Sequence, residues 1–223
     1  MDVRPGSDII VQTKILMQAS LAERYNSMSF MERFDQLPQR LFLDTNIIQY
    51  FTDFGEFIFD NYMKEGRLVT SKGKEILEGS FLFNQIACLN KILLGLNRTS
   101  MHFAISEFIY EEVKKKNDPH LTLYFSDLWQ YWNKIVEEAG EGAFKGYGKR
   151  KLARIQSDKS IIQGLSKNDF RVLSDALLLE CDAILTCDKF RNRQNWIYDK
   201  YRIMVLYPSD FMEIIRDFQA LWY

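Results

Sequence analysis

Short apolar runs that end abruptly in polar residues constrain the fold of this chain more than any other feature of its sequence. There are four of them, at residues 41–43, 101–105, 183–186 and 202–206. A buried strand of a parallel sheet has this pattern, because both of its faces are covered and its end meets a polar loop. Segments with apolar residues at helical spacing separate the runs, so strands and helices alternate along the chain. The sequence therefore predicts an α/β fold, a three-layer α/β/α sandwich around a mostly parallel central sheet.

The same spacing predicts where the helices lie. They cover residues 8–25, 47–63, 72–96 (in one or two pieces), 106–116, 124–138 and 169–180, and Pro208 begins a final helix. Ser106 and Asn168 are predicted to cap the helices that follow them. The apolar run at residues 68–70 is too short to assign. A length of 223 residues suits one domain with an elaboration. We expect residues 1–40 to form an N-terminal helical extension and residues 41–223 to form the main domain.

Composition disfavours several classes of protein. The formal net charge is −1 and the isoelectric point is near 6.2, so a nucleic-acid partner would need a local basic patch or a bound cation. The three cysteines form no Cys-x-x-Cys pair, which predicts reduced thiols, and two histidines are too few for a histidine-rich zinc site. No apolar run is long enough to span a bilayer, so we expect a cytoplasmic protein with no membrane partner.

Carboxylates from four separate segments are predicted to meet at one edge of the sheet. Asp44 and Asp188 directly follow two of the buried strands. Glu112 lies on the helix after another strand, and Asp169 opens the helix that leads to the strand before Asp188. Ligands of open parallel sheets bind outside the carboxyl ends of the strands, so one crevice is expected to receive all four side chains. A hard divalent cation, Mg²⁺ or Mn²⁺, would relieve their mutual repulsion and prefers oxygen ligands.

Each of these carboxylates, taken alone, also has an ordinary structural interpretation. Asp44 is suited to cap the helix that follows it, and Asp169 stands in a first helical turn, where negative charge is favoured. Glu112 precedes lysines at positions 114–116 and is suited to a solvated helix face with ion pairs between neighbouring turns. The functional interpretation therefore depends on the combination of positions.

Several stretches of the chain resemble the motifs of PIN domains. LFLDTNIIQYF resembles the opening motif, in which a strand ends in the first metal-binding Asp. FAISEFIYEEV is similar to the second motif, a strand, a Ser or Thr and a helix that bears a Glu, and NDFRVLSDALLLECDAILTCDKF is similar to the third and fourth motifs together. The ending VLYPSDFMEII resembles the closing strand, proline and helix of the family. The resemblance extends from about Leu41 to Ile215.

The resemblance implies a metal-dependent endoribonuclease. PIN domains act in RNA processing and quality control and as toxins of toxin–antitoxin pairs, so it implies an RNA substrate and is compatible with an antitoxin or another protein as partner. It assigns metal binding and catalysis to Asp44, Glu112, Asp169 and Asp188. Mg²⁺ or Mn²⁺ would acidify the attacking water, and the products would carry 5′-phosphate and 3′-hydroxyl ends. The alternative is an inactive PIN-like scaffold or RNA-binding module.

Two of these assignments have competitors within the same motifs. Glu112 fits the family's spacing better than the adjacent Glu111. Asp175 follows Asp169 by six residues, which is roughly 120° around a regular helix, so the two cannot both bind one metal directly, and Asp169 is favoured. Asn46 and Thr186 are predicted to orient the ligands through hydrogen bonds.

Two basic clusters are candidates to hold the phosphates of a nucleic acid. They are Lys149, Arg150 and Lys151 in one cluster, and Lys189, Arg191 and Arg193 after the last carboxylate in the other. The second cluster lies nearer the predicted metal site, although such charge runs are also common on solvated helices. The sequence leaves the oligomeric state open, since the N-terminal helix is compatible both with a dimer arm in a homo-oligomer and with covering its own sheet edge.

Overall fold

A computed structural model describes residues 29, 32, 34, 37–63, 66–70, 73–96, 101–139 and 164–221. The side chains of 96, 129, 131–139, 191 and 219–221 are outside this description. The chain divides into two compact units, Met1–Leu37 and Pro38–Tyr223, and the elements below belong to the second. The helix predicted over residues 8–25 lies outside the described residues.

A parallel sheet forms the centre of the second unit. The strands are β1 (Arg40–Leu43), β2 (Leu68–Val69), β3 (Glu75–Ile76), β4 (His102–Ala104), β5 (Ala183–Leu185) and β6 (Met204–Leu206). The order β4-β1-β5-β6 makes a four-stranded sheet in which every neighbouring pair is parallel. The buried apolar runs that predicted these four strands are therefore confirmed.

Helices pack around this sheet. They are α1 (Thr45–Asp53), α2 (Gly55–Asp60), α3 (Phe81–Leu96), α4 (Glu107–Lys115), α5 (Pro119–Ala139), α6 (Lys167–Leu178), α7 (Gln194–Tyr201) and α8 (Pro208–Ile215), with 3₁₀ segments at Lys189–Arg193 and Arg216–Leu221. Helix α5 packs against α1 and α4, whereas α3 packs against α2 and α8. The α/β class is as predicted, and the parallel sheet with its helices is consistent with a three-layer α/β/α fold.

Two long predicted helices are wrong in extent. The helix predicted over 47–63 is two helices, because Phe54 leaves helical geometry at φ −127° and ψ 24° and its backbone N–H closes the end of α1. In the stretch predicted over 72–96, only Phe81–Leu96 is helical. The part before it contains β3, which pairs antiparallel with β2. Gly73 and Gly79, at φ +79° and +78°, take the left-handed turns around β3 that end any helix there.

Two expectations from composition concern the cysteines and membrane spans. Cys88, Cys181 and Cys187 are all free thiols, and Cys181 is buried. Within the described ranges, no helix is both long enough and apolar enough to cross a membrane.

Two ionic side chains, Arg40 of β1 and Asp182 just before β5, hold the amino edge of the sheet together. The Asp182 carboxylate, just before β5, accepts hydrogen bonds from the backbone N–H groups of Gln39 and Arg40, both at 2.9 Å. The Arg40 guanidinium donates to His102 Nε2 at 3.1 Å and to the Leu179 carbonyl at 2.9 Å. These bonds connect β1 to both of its neighbours at the edge opposite to the polar strand ends.

Replacing Arg40 with Met should destabilise the fold without altering the carboxyl edge of the sheet. The substitution removes charge-assisted hydrogen bonds from a half-buried position, and we expect a loss of about 2 kcal/mol in the free energy of unfolding. Urea denaturation measures it. The matched control is Arg67→Met, because Arg67 forms an exposed ion pair with Glu75 and should contribute under about 0.5 kcal/mol. Equal losses in the two variants would contradict this account of the amino edge.

Candidate metal centre at the carboxyl edge of the sheet

A cleft of about 380 Å³ opens at the carboxyl edge of the sheet. Its lining residues are Asp44, Thr45, Asn46, Glu112, Lys115, Lys116, Asn168, Asp169, Val172 and Asp188. The structure thus brings together the four carboxylates singled out in the sequence, although they come from four different segments. Their common position follows from the parallel sheet, because the segments after β1 and β5 and the helices α4 and α6 all approach this edge.

Asp44 accepts hydrogen bonds from three residues. It is the N-cap residue of α1, and its Oδ1 accepts the backbone N–H of Thr45 at 2.7 Å. Its Oδ2 accepts hydrogen bonds from Asn46 Nδ2 at 2.8 Å and from Thr186 Oγ1 at 2.7 Å. The capping role expected of an isolated Asp is therefore present, together with side-chain donors that capping does not require.

Asn46 and Thr186 join the ends of the two central strands. The Asp44 backbone N–H donates to the Leu185 carbonyl at 3.1 Å, which continues the β1–β5 pairing by one residue. Asn46 Oδ1 accepts the backbone N–H of Cys187 at 2.9 Å, and the hydroxyl of the fully buried Thr186 accepts the backbone N–H of Asp188 at 3.0 Å. Both side chains thus fix Asp44 and the loop that carries Asp188.

Burial raises the pKa of Asp44 above its ordinary value. The hydrogen bonds from Thr186, Thr45 and Asn46 oppose this shift, and the negative charge of Asp188 adds to it. Burial also raises the pKa values of Tyr50 and Cys187 to about 12, with a further contribution from Asp44 in both cases. The phenol and the thiol are therefore neutral at physiological pH, and neither is an activated nucleophile.

Glu112 reaches the cleft from α4 and is held by two donors that also line it. Its Oε2 accepts the hydroxyl of Thr45 at 2.7 Å, and its Oε1 accepts Asn168 Nδ2 at 3.0 Å. The adjacent Glu111 is exposed and is not among the described residues that line the cleft. The side chain of Glu112 therefore connects α4 to α1 and α6 through hydrogen bonds.

Asp169 and Asp175 have different surroundings on α6. Asp169 lines the cleft, whereas the carboxylate of Asp175 accepts the Ser106 hydroxyl at 2.7 Å. Burial raises the pKa of Asp175, against opposing effects of that hydrogen bond and of the Arg171 charge. Asp175 thus accepts a hydrogen bond from the residue that precedes α4, and it is not among the described residues that line the cleft.

One of the two expected helix caps is wrong. The N-cap residue of α6 is Ser166, whose hydroxyl accepts the backbone N–H of Asp169 at 3.1 Å, and not Asn168. Ser106 is the N-cap residue of α4 but makes no side-chain capping bond, because its hydroxyl donates to Asp175. Asn168, released from capping, is instead the residue that reaches Glu112.

Among the described candidates, Asp188, Lys189 and Arg193 are the exposed ones. Asp188 is exposed and accepts the backbone N–H of Lys189 at 2.6 Å. Lys189 and Arg193 are also exposed, and the described lining of the cleft includes neither of them. The Arg191 side chain and residues Lys149, Arg150 and Lys151 lie outside the described residues.

Sequence reasoning missed four polar residues that line the cleft, namely Thr45, Lys115, Lys116 and Asn168. Asn168 was expected to be a helix cap, and Lys115 and Lys116 were expected to be part of a solvated helix face. A usable signal was present for the lysines, because they follow Glu112 by three and four residues and so share its face of α4. No comparable signal existed for Asn168, since its contact with Glu112 joins residues 56 positions apart.

The chemistry of the cleft fits a hard divalent cation. Its potential ligands are carboxylate oxygens, which Mg²⁺ and Mn²⁺ prefer, and a cation would offset the burial of Asp44 and its repulsion by Asp188. Among the described residues, no three His, Cys, Asp or Glu side chains are close enough together to hold a metal ion as they stand. Side-chain adjustment would therefore have to accompany binding.

Comparison of the chain with protein-family models, with curated proteins and with solved structures finds no match in any of the three.

Proposed function

We propose that this protein is a Mg²⁺- or Mn²⁺-dependent endoribonuclease of the PIN-like type. The observation that carries the proposal is the convergence of Asp44, Glu112, Asp169 and Asp188 in one cleft at the carboxyl edge of a parallel sheet. Ordinary helix capping and surface charge account for each residue alone, but they do not require all of them to line the same cleft. The order and spacing of the four along the chain also match the motifs that resemble PIN domains.

In this proposal, Asp44, Asp169 and Asp188 hold the cation, and Glu112 binds it directly or through water. A bound divalent cation supplies a more acidic water and neutralises charge on the phosphate. Thr186 and Asn46 keep the Asp44 carboxylate in one orientation, as the hydrogen bonds at 2.7 and 2.8 Å indicate. Thr45 and Asn168 do the same for Glu112.

RNA is the proposed substrate, on the strength of the family resemblance. A role as a toxin with an antitoxin partner and a role in RNA processing both belong to this proposal. An inactive PIN-like scaffold is the alternative, and the carboxylate variants below separate it from an enzyme.

Asp44→Asn and Asp188→Asn should each abolish cleavage. We expect wild-type protein with Mn²⁺ to cut single-stranded RNA, and each variant to lose at least about 100-fold in rate because a ligand charge is removed. Product formation on labelled RNA and on DNA of the same sequence measures it and reports the preference between them.

Asp175→Asn is the matched control, since Asn retains an oxygen that accepts the Ser106 hydroxyl. It should cleave like wild type, whereas Asp169→Asn should be as inactive as Asp44→Asn. An inert wild-type protein, or variants that cut as fast as wild type, would overturn the nuclease proposal. The reverse outcome for Asp169 and Asp175 would reassign the ligand on α6.

Glu112→Gln should reduce cleavage strongly, and Glu111→Gln should not. The two residues are adjacent on α4, but only Glu112 is held in the cleft by Thr45 and Asn168. We expect a loss of about 10- to 100-fold in kcat for Glu112→Gln. The same assay measures it, and equal activities in the two variants would remove Glu112 from the proposed set.

Mn²⁺ should raise the melting temperature of the wild-type protein. A cation at about 100 times its Kd stabilises the folded state by about 2.7 kcal/mol, which corresponds to roughly 5–10 °C for a domain of this size. Differential scanning calorimetry with and without Mn²⁺ measures the shift. Asp44→Asn should show little or no shift, because its carboxylate charge no longer attracts the cation. A shift of equal size in both proteins would place the metal elsewhere.

A further inference from the structure

We propose that Lys115 and Lys116 bind backbone phosphates of the nucleic-acid strand next to the bond that is cut. The inference rests on the proposed nuclease function and extends it by naming the cationic part of the substrate site. Both lysines are exposed and line the cleft that contains the four carboxylates. They are its only basic lining residues among those described.

The lysines share one helix face with Glu112. They follow it by three and four residues, which places all three side chains on neighbouring turns of the same side of α4. Lys114 lies two residues after Glu112 and therefore roughly 200° around the helix. Its ammonium group stands over the Tyr110 ring, 4.2 Å from the centroid. Helix geometry thus directs two of three consecutive lysines into the cleft.

Within the described part of the chain, no direct ion pair joins these lysines to the carboxylates beside them. Glu112 and Lys116 have the spacing of a helical ion pair, but the ion pairs among the described residues involve neither Lys115 nor Lys116. Glu112 is held by Thr45 and Asn168 instead. Among its described lining residues, the cleft therefore presents negative and positive groups side by side without an ion pair between them. A metal-bound phosphodiester, with further phosphates on either side, complements both signs of charge.

Lys116 is also fixed in position before any ligand binds. Its ammonium group donates to Gln49 Oε1 on α1. The Gln49 amide in turn donates to Asp53 at 3.4 Å, one helical turn further along α1. An ordered lysine loses less side-chain entropy on binding a phosphate than a free one does.

Contacts of this kind predict a definite binding behaviour. Lysine contacts to phosphate carry no direct sequence information, so the two lysines should contribute equally to the affinity for strands of every sequence. Each neutralised phosphate of a single strand contributes about −0.7 to the slope of log K against log salt concentration. Removal of both contacts should therefore make that slope shallower by about 1.4.

Fluorescence anisotropy with Ca²⁺ in place of Mn²⁺ tests the inference by binding alone. The probe is a labelled single-stranded RNA of about 12 nucleotides, with a DNA of the same sequence in a parallel arm. We expect Lys115→Ala/Lys116→Ala to bind the RNA about 10-fold more weakly than wild type, with the shallower salt slope. Lys114→Ala, the control that removes one positive charge from the same helix outside the described lining of the cleft, should bind like wild type. Lys115→Arg/Lys116→Arg should restore the affinity.

The outcomes distinguish this inference from the nuclease proposal. If the Lys115→Ala/Lys116→Ala variant retains its melting temperature and binds RNA like Lys114→Ala, the phosphate assignment is wrong, whether or not wild type cleaves. Wild-type binding that depends on Lys115 and Lys116, without any cleavage in Mn²⁺, would support the assignment and overturn the nuclease proposal. A loss per charge removed, on a logarithmic scale of affinity, that is as large in Lys114→Ala as in Lys115→Ala/Lys116→Ala would indicate general electrostatic attraction and also overturn the assignment.

Discussion

The candidate site depends on the parallel pairing of β1 with β5. This pairing places Leu43 beside Leu185, and the Asp44 backbone N–H then extends the ladder to the Leu185 carbonyl. Thr186, the residue after β5, is fully buried, and its hydroxyl donates to the Asp44 carboxylate. A slip of one residue would turn these side chains to the opposite face of the sheet and separate them. Register therefore determines whether the cleft contains the proposed metal-binding residues at all.

This register also explains how the fold tolerates a partly buried carboxylate. Burial raises the pKa of Asp44, and an uncompensated buried charge would destabilise the protein severely. Donors from Thr45, Asn46 and Thr186 lower that cost, whereas the charge of Asp188 increases it. This arrangement of acids and donors is more typical of proposed metal ligands than of residues with a purely structural role. Hydrophobic packing or a simple helix cap would complete the end of β1 without a second acid nearby. A divalent cation is the group that best offsets the remaining repulsion.

The parts of the fold that the sequence predicts are those in which one segment determines its own structure. Buried parallel strands can be recognised from the sequence, since each is apolar on both faces and stops at a polar residue such as Asp44 or Ser106. Strands β2 and β3 gave no such signal because each has two residues and the pairing partner supplies most of the information. The break at Phe54 was likewise invisible, as an aromatic residue is compatible with a helix interior and tertiary packing overrides its weak preference. Ser166 and Asn168 are both good caps, and the choice between them depends on the distant Glu112.

The same distinction applies to charge in the cleft. Periodicity alone puts Glu112, Lys115 and Lys116 on one helix face, and from that fact an ion pair between neighbouring turns is the natural expectation. Thr45, Asn168 and Gln49 come from other helices and hold the acid and the lysine apart. An exposed helical ion pair contributes only a few tenths of a kcal/mol, so its loss is readily offset by these hydrogen bonds. Without an ion pair between them, Glu112 and Lys116 contribute little to folding through their charges. Each can instead attract one part of the proposed ligand, Glu112 the cation and Lys116 a phosphate group.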